Sequence, residues 1–193
     1  MNTKETDRKL VEKPIHSEKI FSGTLLHVYR DQAELPDGRT SVREWINHPG
    51  ACAVLPVFEN GDVQLIRQFR YPLRELFTEV PAGKIDPDEE PLVTAKRELE
   101  EESGIRGENW ISLGAIHPCI GYTNEVIHLY LAWDLQVSDN NVDEDEFLQP
   151  LRIPFWNAVE QALSGEITDG KTITAILRAA RWWKENEPFP VKL

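Results

Sequence analysis

Between residues 24 and 71 the chain sets short apolar and β-branched runs between turn residues, a pattern that predicts strands. Residues 24–35 and 40–47 flank Pro36-Asp37-Gly38-Arg39, where proline presets φ and glycine accepts a positive one, so they are read as a hairpin. Residues 51–58 and 63–71 flank Glu59-Asn60-Gly61-Asp62, whose Asn-Gly pair suits a type I′ turn and predicts a second hairpin. After a short run at 76–80, Pro81-Ala82-Gly83 interrupts the chain and the spacing turns helical. That helix starts near Glu90 or Pro91 and stops at Ser103-Gly104, with proline in the first turn and glycine at the C-terminal cap. Residues 110–117 and 126–135 predict further strands, 139–149 an acidic loop, and 154–164 and 172–186 two closing helices. Residues 1–18 are charged and aperiodic, which predicts a loose arm or a short first strand. The whole reads as an α/β protein with a central sheet.

The 193-residue length suits one domain, or a domain with a small appendage. No apolar run approaches the roughly 20 residues a membrane span needs, and the charged opening lacks a signal-type hydrophobic stretch, so a cytoplasmic protein that engages no membrane is expected. Cys52 and Cys119 are the only cysteines, too few for a disulfide framework and without the spacing of a cysteine zinc site, and read as free thiols. The formal charge is -12, and two segments carry ten of those charges. Residues 83–105 hold eight acidic side chains against three basic ones, and residues 139–146 hold five with none. Elsewhere the chain is near balance, which argues against nucleic-acid binding and for chemistry local to the two clusters.

At roughly 100° per residue, Glu98, Glu101 and Glu102 fall within about a 100° arc of one helix face, while Ala95 and Leu99 turn to a core. Carboxylates about 5.5 Å apart in an effective dielectric near 20 repel by about 3 kcal/mol, so a positive group must offset them. Oxygen ligands without cysteine or clustered histidine select Mg²⁺ or Mn²⁺ before Zn²⁺. Gly83, five residues, Glu89, seven residues, then Arg97-Glu98-Leu99-Glu100-Glu101-Glu102-Ser103-Gly104-Ile105 match every fixed position of the Nudix box. The chain therefore resembles the Nudix hydrolase family. The resemblance implies an α+β Nudix fold, a mixed sheet sandwiched between helices, here with an N-terminal antiparallel hairpin region. It also implies Mg²⁺-dependent (or Mn²⁺-dependent) cleavage of a nucleoside diphosphate linked to another moiety. Glu98, Glu101 and Glu102 are the implied metal ligands; Glu89 supports a metal or the box loop, and Arg97 pairs with a box carboxylate.

Outside the box the chain resembles the ADP-ribose pyrophosphatase and nucleotide-sugar hydrolase branch, through Glu44-Trp45-Ile46-Asn47-His48-Pro49-Gly50-Ala51, Gln68-Phe69-Arg70-Tyr71-Pro72, Glu79-Val80-Pro81-Ala82-Gly83, Asn124-Glu125, Asp143-Glu144-Asp145-Glu146-Phe147 and Asp169-Gly170-Lys171-Thr172. That branch implies the Ala82 carbonyl as a further metal ligand, and Arg70 and Glu79 in the substrate site beside Glu125. The catalytic carboxylate implied in the acidic loop is Glu144, with Glu146 second. A loop carboxylate makes the better base because one tied to a cation is held as its anion. Trp45 is a candidate base platform, equally readable as core or interface. The branch further implies a homodimer built through residues 1–48, with the hydrolase domain at 49–193, in which Trp45 and Arg43 act across the interface. Pro118 is followed by Cys119-Ile120-Gly121 rather than the branch's usual Ser-Pro-Gly context, which leaves substrates other than ADP-ribose open. Competing readings are a non-catalytic nucleotide-sugar sensor and a hydrolase of dinucleoside polyphosphates or NADH. His117 and His128 are read as hydrogen-bonded core residues, and Trp156, Trp182 and Trp183 as core or interface.

Overall fold

The computed structural model describes residues 9–138 and 147–186; Glu144 and Glu146, the two candidate loop bases, lie outside the described residues. Two compact units emerge, one joining residues 9–48 to Cys119–Glu125 and the other built from Pro49–Pro118 and the described residues after Glu125. No described helix is long and apolar enough to cross a membrane.

In the first unit β1 (Lys13–Ser22), β2 (His27–Glu34) and β3 (Thr40–Asn47) form an antiparallel sheet in that order. The first predicted hairpin is β2–β3. The stretch read as an arm or short strand supplies much of a ten-residue strand, β1. Polar cross-strand pairs mark it where an apolar period does not: Lys13 Nζ lies 3.1 Å from Glu34, and Ser17 Oγ donates to Asp31 at 2.5 Å. Tyr29 faces Trp45 across β2–β3. Cys119–Glu125 ties on where Ile46 N donates to Tyr122 O and Asn124 N returns a bond to Ile46 O.

In the second unit β4 (Ala51–Pro56), β7 (Ala82–Lys84), β8 (Ile105–Ile116) and β9 (Ile127–Val137) form a sheet ordered β7-β4-β9-β8, with β4 and β9 parallel and the other pairs antiparallel. β5 (Asp62–Arg70), β6 (Glu75–Glu79) and β10 (Gln149–Pro154) form a second, antiparallel sheet ordered β10-β5-β6. The helices are α1 (Pro91–Ser103), α2 (Phe155–Ser164) and α3 (Gly170–Glu185). All six residues of β4 are buried, as a strand covered on both faces requires. Its alternation divides the core. Cys52 and Val54 pack with Ala95 and Leu99 of α1, while Ala53 and Leu55 join Phe155, Ala158, Ile176 and Trp183 of α2 and α3. The mixed sheet between helices expected from the sequence is therefore present.

The second predicted hairpin is not. β4 and β5 are consecutive but belong to different sheets, and the antiparallel pairing between them stops at the turn, with an isolated bridge between Val57 and Val63 and Phe58 N donating to Asp62 O at 2.8 Å. Gly61 takes a positive φ of 82° and Asn60 does not, so the turn is not type I′. A fully apolar β4 gains more as an inner strand beside β9 than in a two-stranded ribbon. The sequence pattern assigns no element to residues 150–153, which form most of β10; Pro150 and Pro154 are accommodated because the strand lies at the edge of its sheet beside β5. Trp183 is core, 2% exposed and stacked on Phe155 at 4.7 Å. His117 is exposed and His128 half-buried, so neither is the fully buried core residue expected.

Candidate active site

α1 places the box. Pro91 opens it, and Gly104 closes it at φ 64°, with its N–H donating to Glu100 O at 2.8 Å. Thr94, Ala95 and Leu99 are buried against the sheet, and the same docking draws Glu102 to 6% exposure. Glu102 Oε2 accepts from Ala82 N at 2.7 Å. Glu98 lies so close to the backbone of Gly83 that a Cβ there would sit 1.9 Å from the Glu98 carboxyl carbon. Two box carboxylates thus converge on the backbone of Ala82 and Gly83, one accepting from the Ala82 N–H and the other resting where only a glycine leaves room.

The positive group demanded by their repulsion is Arg97. Its Nη1 donates to Glu98 and Glu101 at 2.8 Å each, and its Nε and Nη2 donate to Glu89 at 3.3 and 3.1 Å. A further bond to Lys84 O at 3.2 Å fixes the fork to β7. The Arg97 guanidinium, helped by the Thr94 hydroxyl at 2.7 Å, holds the Glu89 carboxyl down at about 2. Glu89 is therefore an anchored anion of the box loop.

Arg70 ends β5, and its antiparallel partner β6 delivers Glu79 beside it. Nε and Nη2 of Arg70 each donate to a different Glu79 oxygen at 2.7 Å, a bidentate pair. Glu79 is 2% exposed. Burial acts to raise its pKa, but Arg70's hydrogen bonds and the charge of Lys171 outweigh that and keep the carboxyl below its usual range. Lys171 comes from the first turn of α3, where Asp169 caps the helix by accepting from Thr172 N at 3.0 Å. Lys171 Nζ contacts Glu79 Oε2 and lies 3.1 Å from Asp169. This chain of charges lines a cavity of about 360 Å³ that Leu73 and Phe77 complete. Only Val80 and Pro81 separate Glu79 from Ala82 in sequence. Arg70 is held charged by Glu79 first, with Asp169 and Glu102 adding to the field, which links the cavity to the box.

The donor set at the box is oxygen only, with carboxylates brought to one stretch of backbone, and that fits a hard divalent cation. Among the described residues no three carboxylate, imidazole or thiol side chains gather closely enough to hold an ion by themselves. Arg97 occupies the space between Glu98 and Glu101. Arg43, Trp45 and Glu125 belong to the first unit. Arg43 is paired with Glu12 through two bonds, at 2.8 and 2.5 Å. Trp45 stacks one face on Tyr29 at 4.9 Å and donates Nε1 to Asp31 at 2.9 Å, and Glu125 lies 3.7 Å from His48 Nδ1. Sequence reasoning quoted Asp169-Gly170-Lys171-Thr172 only as a mark of resemblance. The contact of Lys171 with Glu79 joins positions 92 residues apart, and no local pattern signals it.

A NUDIX domain model matches residues 47–178. The chain is 40% identical over 171 residues to an ADP-ribose pyrophosphatase of Bacillus subtilis (strain 168), covering 88% of this chain and 92% of that protein. It is also 40% identical over 169 residues to a methanol dehydrogenase activator of Bacillus methanolicus, covering 86% and 90%. A crystal structure of an ADP compounds hydrolase superposes with a TM-score of 0.81 over 93% of this chain and 98% of that one, at 23% identity, a likeness of fold alone. With the box seated on the Ala82-Gly83 backbone as described, the chain belongs to the Nudix hydrolase family.

Proposed function

We propose that this protein hydrolyses the pyrophosphate bond of ADP-ribose or a related nucleoside diphosphate sugar, releasing a nucleoside monophosphate and a sugar phosphate. The observation that carries the reading is the placement of Glu98 and Glu102 at the Ala82-Gly83 backbone, three residues beyond the Arg70–Glu79 pair. The resemblance to ADP-ribose pyrophosphatases along most of the chain supports the substrate class.

Glu98, Glu101, Glu102 and the Ala82 carbonyl would hold Mg²⁺, or Mn²⁺ in its place, which when bound polarises the phosphorus centre and lowers the pKa of the attacking water. Arg70, held by Glu79, presents a fixed positive charge to the diphosphate. A carboxylate of the acidic loop, Glu144 ahead of Glu146, takes one proton from water as its oxygen bonds to one phosphorus. The bridging P–O bond breaks and its electron pair leaves with the other phosphate. Arg97 orders Glu89, Glu98 and Glu101 without touching substrate. We further propose that the protein is a homodimer assembled through the β1–β2–β3 unit, with Trp45 and Arg43 completing the partner's substrate site and Glu125 contributing from the same unit.

Incubating the protein with ADP-ribose, ADP-glucose, GDP-mannose and UDP-glucose, with and without Mg²⁺, tests the reading. Metal-dependent release of monophosphate from at least one is expected. Release from none, or release indifferent to metal, overturns it. In the same assay Glu144→Gln should lower turnover at least about 100-fold, the scale of general base catalysis; near-normal turnover in both Glu144→Gln and Glu146→Gln removes the loop base.

A further inference from the structure

We propose that Lys171 is a positioning residue for substrate: it shares the buried Glu79 carboxylate with Arg70 and neutralises it, so that the charge of Arg70 stays available to an anionic group in the adjoining cavity. This rests on the hydrolase reading above and extends it to a residue outside the box.

Four charged side chains run in the order Arg70, Glu79, Lys171, Asp169, each in contact with the next, and their formal charges cancel. Both carboxylates are anchored. Glu79 is fixed by β6, and Asp169 is held by Thr172 through its N–H at 3.0 Å and its hydroxyl at 2.6 Å. The Thr172 hydroxyl in turn accepts from Val80 N at 2.9 Å, tying α3 to the residue after Glu79. Lys171 itself is 12% exposed, too enclosed to be a solvated surface charge. Arg70 differs, with its side chain 43% exposed. Nε and Nη2 are committed to Glu79, whereas Nη1 makes no hydrogen bond among the described residues, and Arg70 lines the cavity. A guanidinium oriented through one edge and open at the other is suited to bind an anionic oxygen.

The balance of charge decides what Lys171 does. Without it, Glu79 and Asp169 leave two negative charges against the single positive charge of Arg70, and the cavity repels a diphosphate. Lys171 therefore acts on substrate through Glu79 and Arg70.

The test compares the full-length protein with Lys171→Met, Lys171→Gln and Lys171→Arg. Two quantities are read: kcat and KM for the best substrate of the panel, and the Mg²⁺-supported dissociation constant of a methylene-bridged ADP-ribose analogue that cannot be cleaved. Removing the charge should raise KM and the dissociation constant about tenfold or more while kcat stays within about threefold, the pattern of lost binding rather than lost chemistry. Lys171→Arg should recover most of the loss. Lys171→Gln carries the comparison should Lys171→Met not fold. Unchanged constants in the charge-free variants overturn the proposal, as does a loss that Lys171→Arg fails to recover, since that pattern belongs to packing. An unmodified protein that binds the analogue yet cleaves nothing overturns the hydrolase reading and leaves the Lys171 comparison to be read from binding. One that binds neither substrate nor analogue overturns both.

Discussion

Gly83 is where a single atom decides geometry. It has no positive φ to preserve, so alanine is tolerable to the backbone, yet the added Cβ would fall 1.9 to 2.1 Å from three atoms of the Glu98 carboxyl group. The far end of a flexible side chain yields more easily than a strand, so Glu98 must swing away while β7 keeps its pairing with β4. Gly83→Ala is therefore expected to keep its thermal midpoint within a few degrees and to lose about 10- to 100-fold in kcat/KM, the cost of displacing a reacting group by an ångström or so. Melting curves and steady-state kinetics on the same preparation check both halves. Full turnover in Gly83→Ala would mean that Glu98 has no fixed role. The box glutamates were legible because helical periodicity is local: residues three and four apart share a face whatever the rest of the chain does. The Lys171–Glu79 contact was not legible, because it spans 92 residues.

At the scale of elements the same contrast holds. α1 was readable to within a residue at both ends, since Pro91 and Gly104 mark it chemically. β4 was recognised as a strand but given the wrong neighbour, because Asn60-Gly61 suggested a local turn while the pairing that buries β4 comes from β9, where Ala51 meets Ile127, 76 residues away. The packing of α1 onto β4 can be followed through one thiol. Cys52 is fully buried, its Sγ donating to Pro91 O at 2.9 Å in the first turn of α1, and burial pushes its pKa from 9.0 to about 12. The reactive form is the thiolate, so Cys52 should resist iodoacetamide at pH 8 in the folded protein and react on unfolding. Because the folded pKa is the higher one, the associated stability is complete below about pH 9 and is lost as pH rises toward about 12. Urea midpoints at pH 8 and 10 should separate more for the parent than for Cys52→Ala. Rapid alkylation of native Cys52 would show that α1 does not seal this face.

For the whole molecule, ten of the twelve net negative charges fall in the box and the acidic loop, two segments proposed to meet over a metal and a diphosphate, which on that reading assigns most of the excess to a site rather than to the surface at large. The first unit poses the opposite question. Of its described residues only Ala33 is buried, every residue of β1 is exposed, and Ile15, Ile20, Phe21 and Val42 are exposed apolar side chains. A three-stranded sheet needs a covered face for stability, and apolar surface of this kind marks an interface. A second copy of the chain is the occupant proposed above, which sets the expected solution mass at about 44 kDa, twice the 22.2 kDa of one chain. Function gives the sharper test. A chain carrying Arg43→Ala with Trp45→Ala retains its box, and a chain carrying Glu98→Gln retains its first unit. If those residues act across the interface, reassorting the two inactive proteins forms mixed dimers in which one site of two is intact, restoring about a quarter of the parent activity. If they act within one chain, every mixed dimer lacks an intact site and no activity returns. A mass of 22.2 kDa at assay concentration removes the dimer and the trans contribution together.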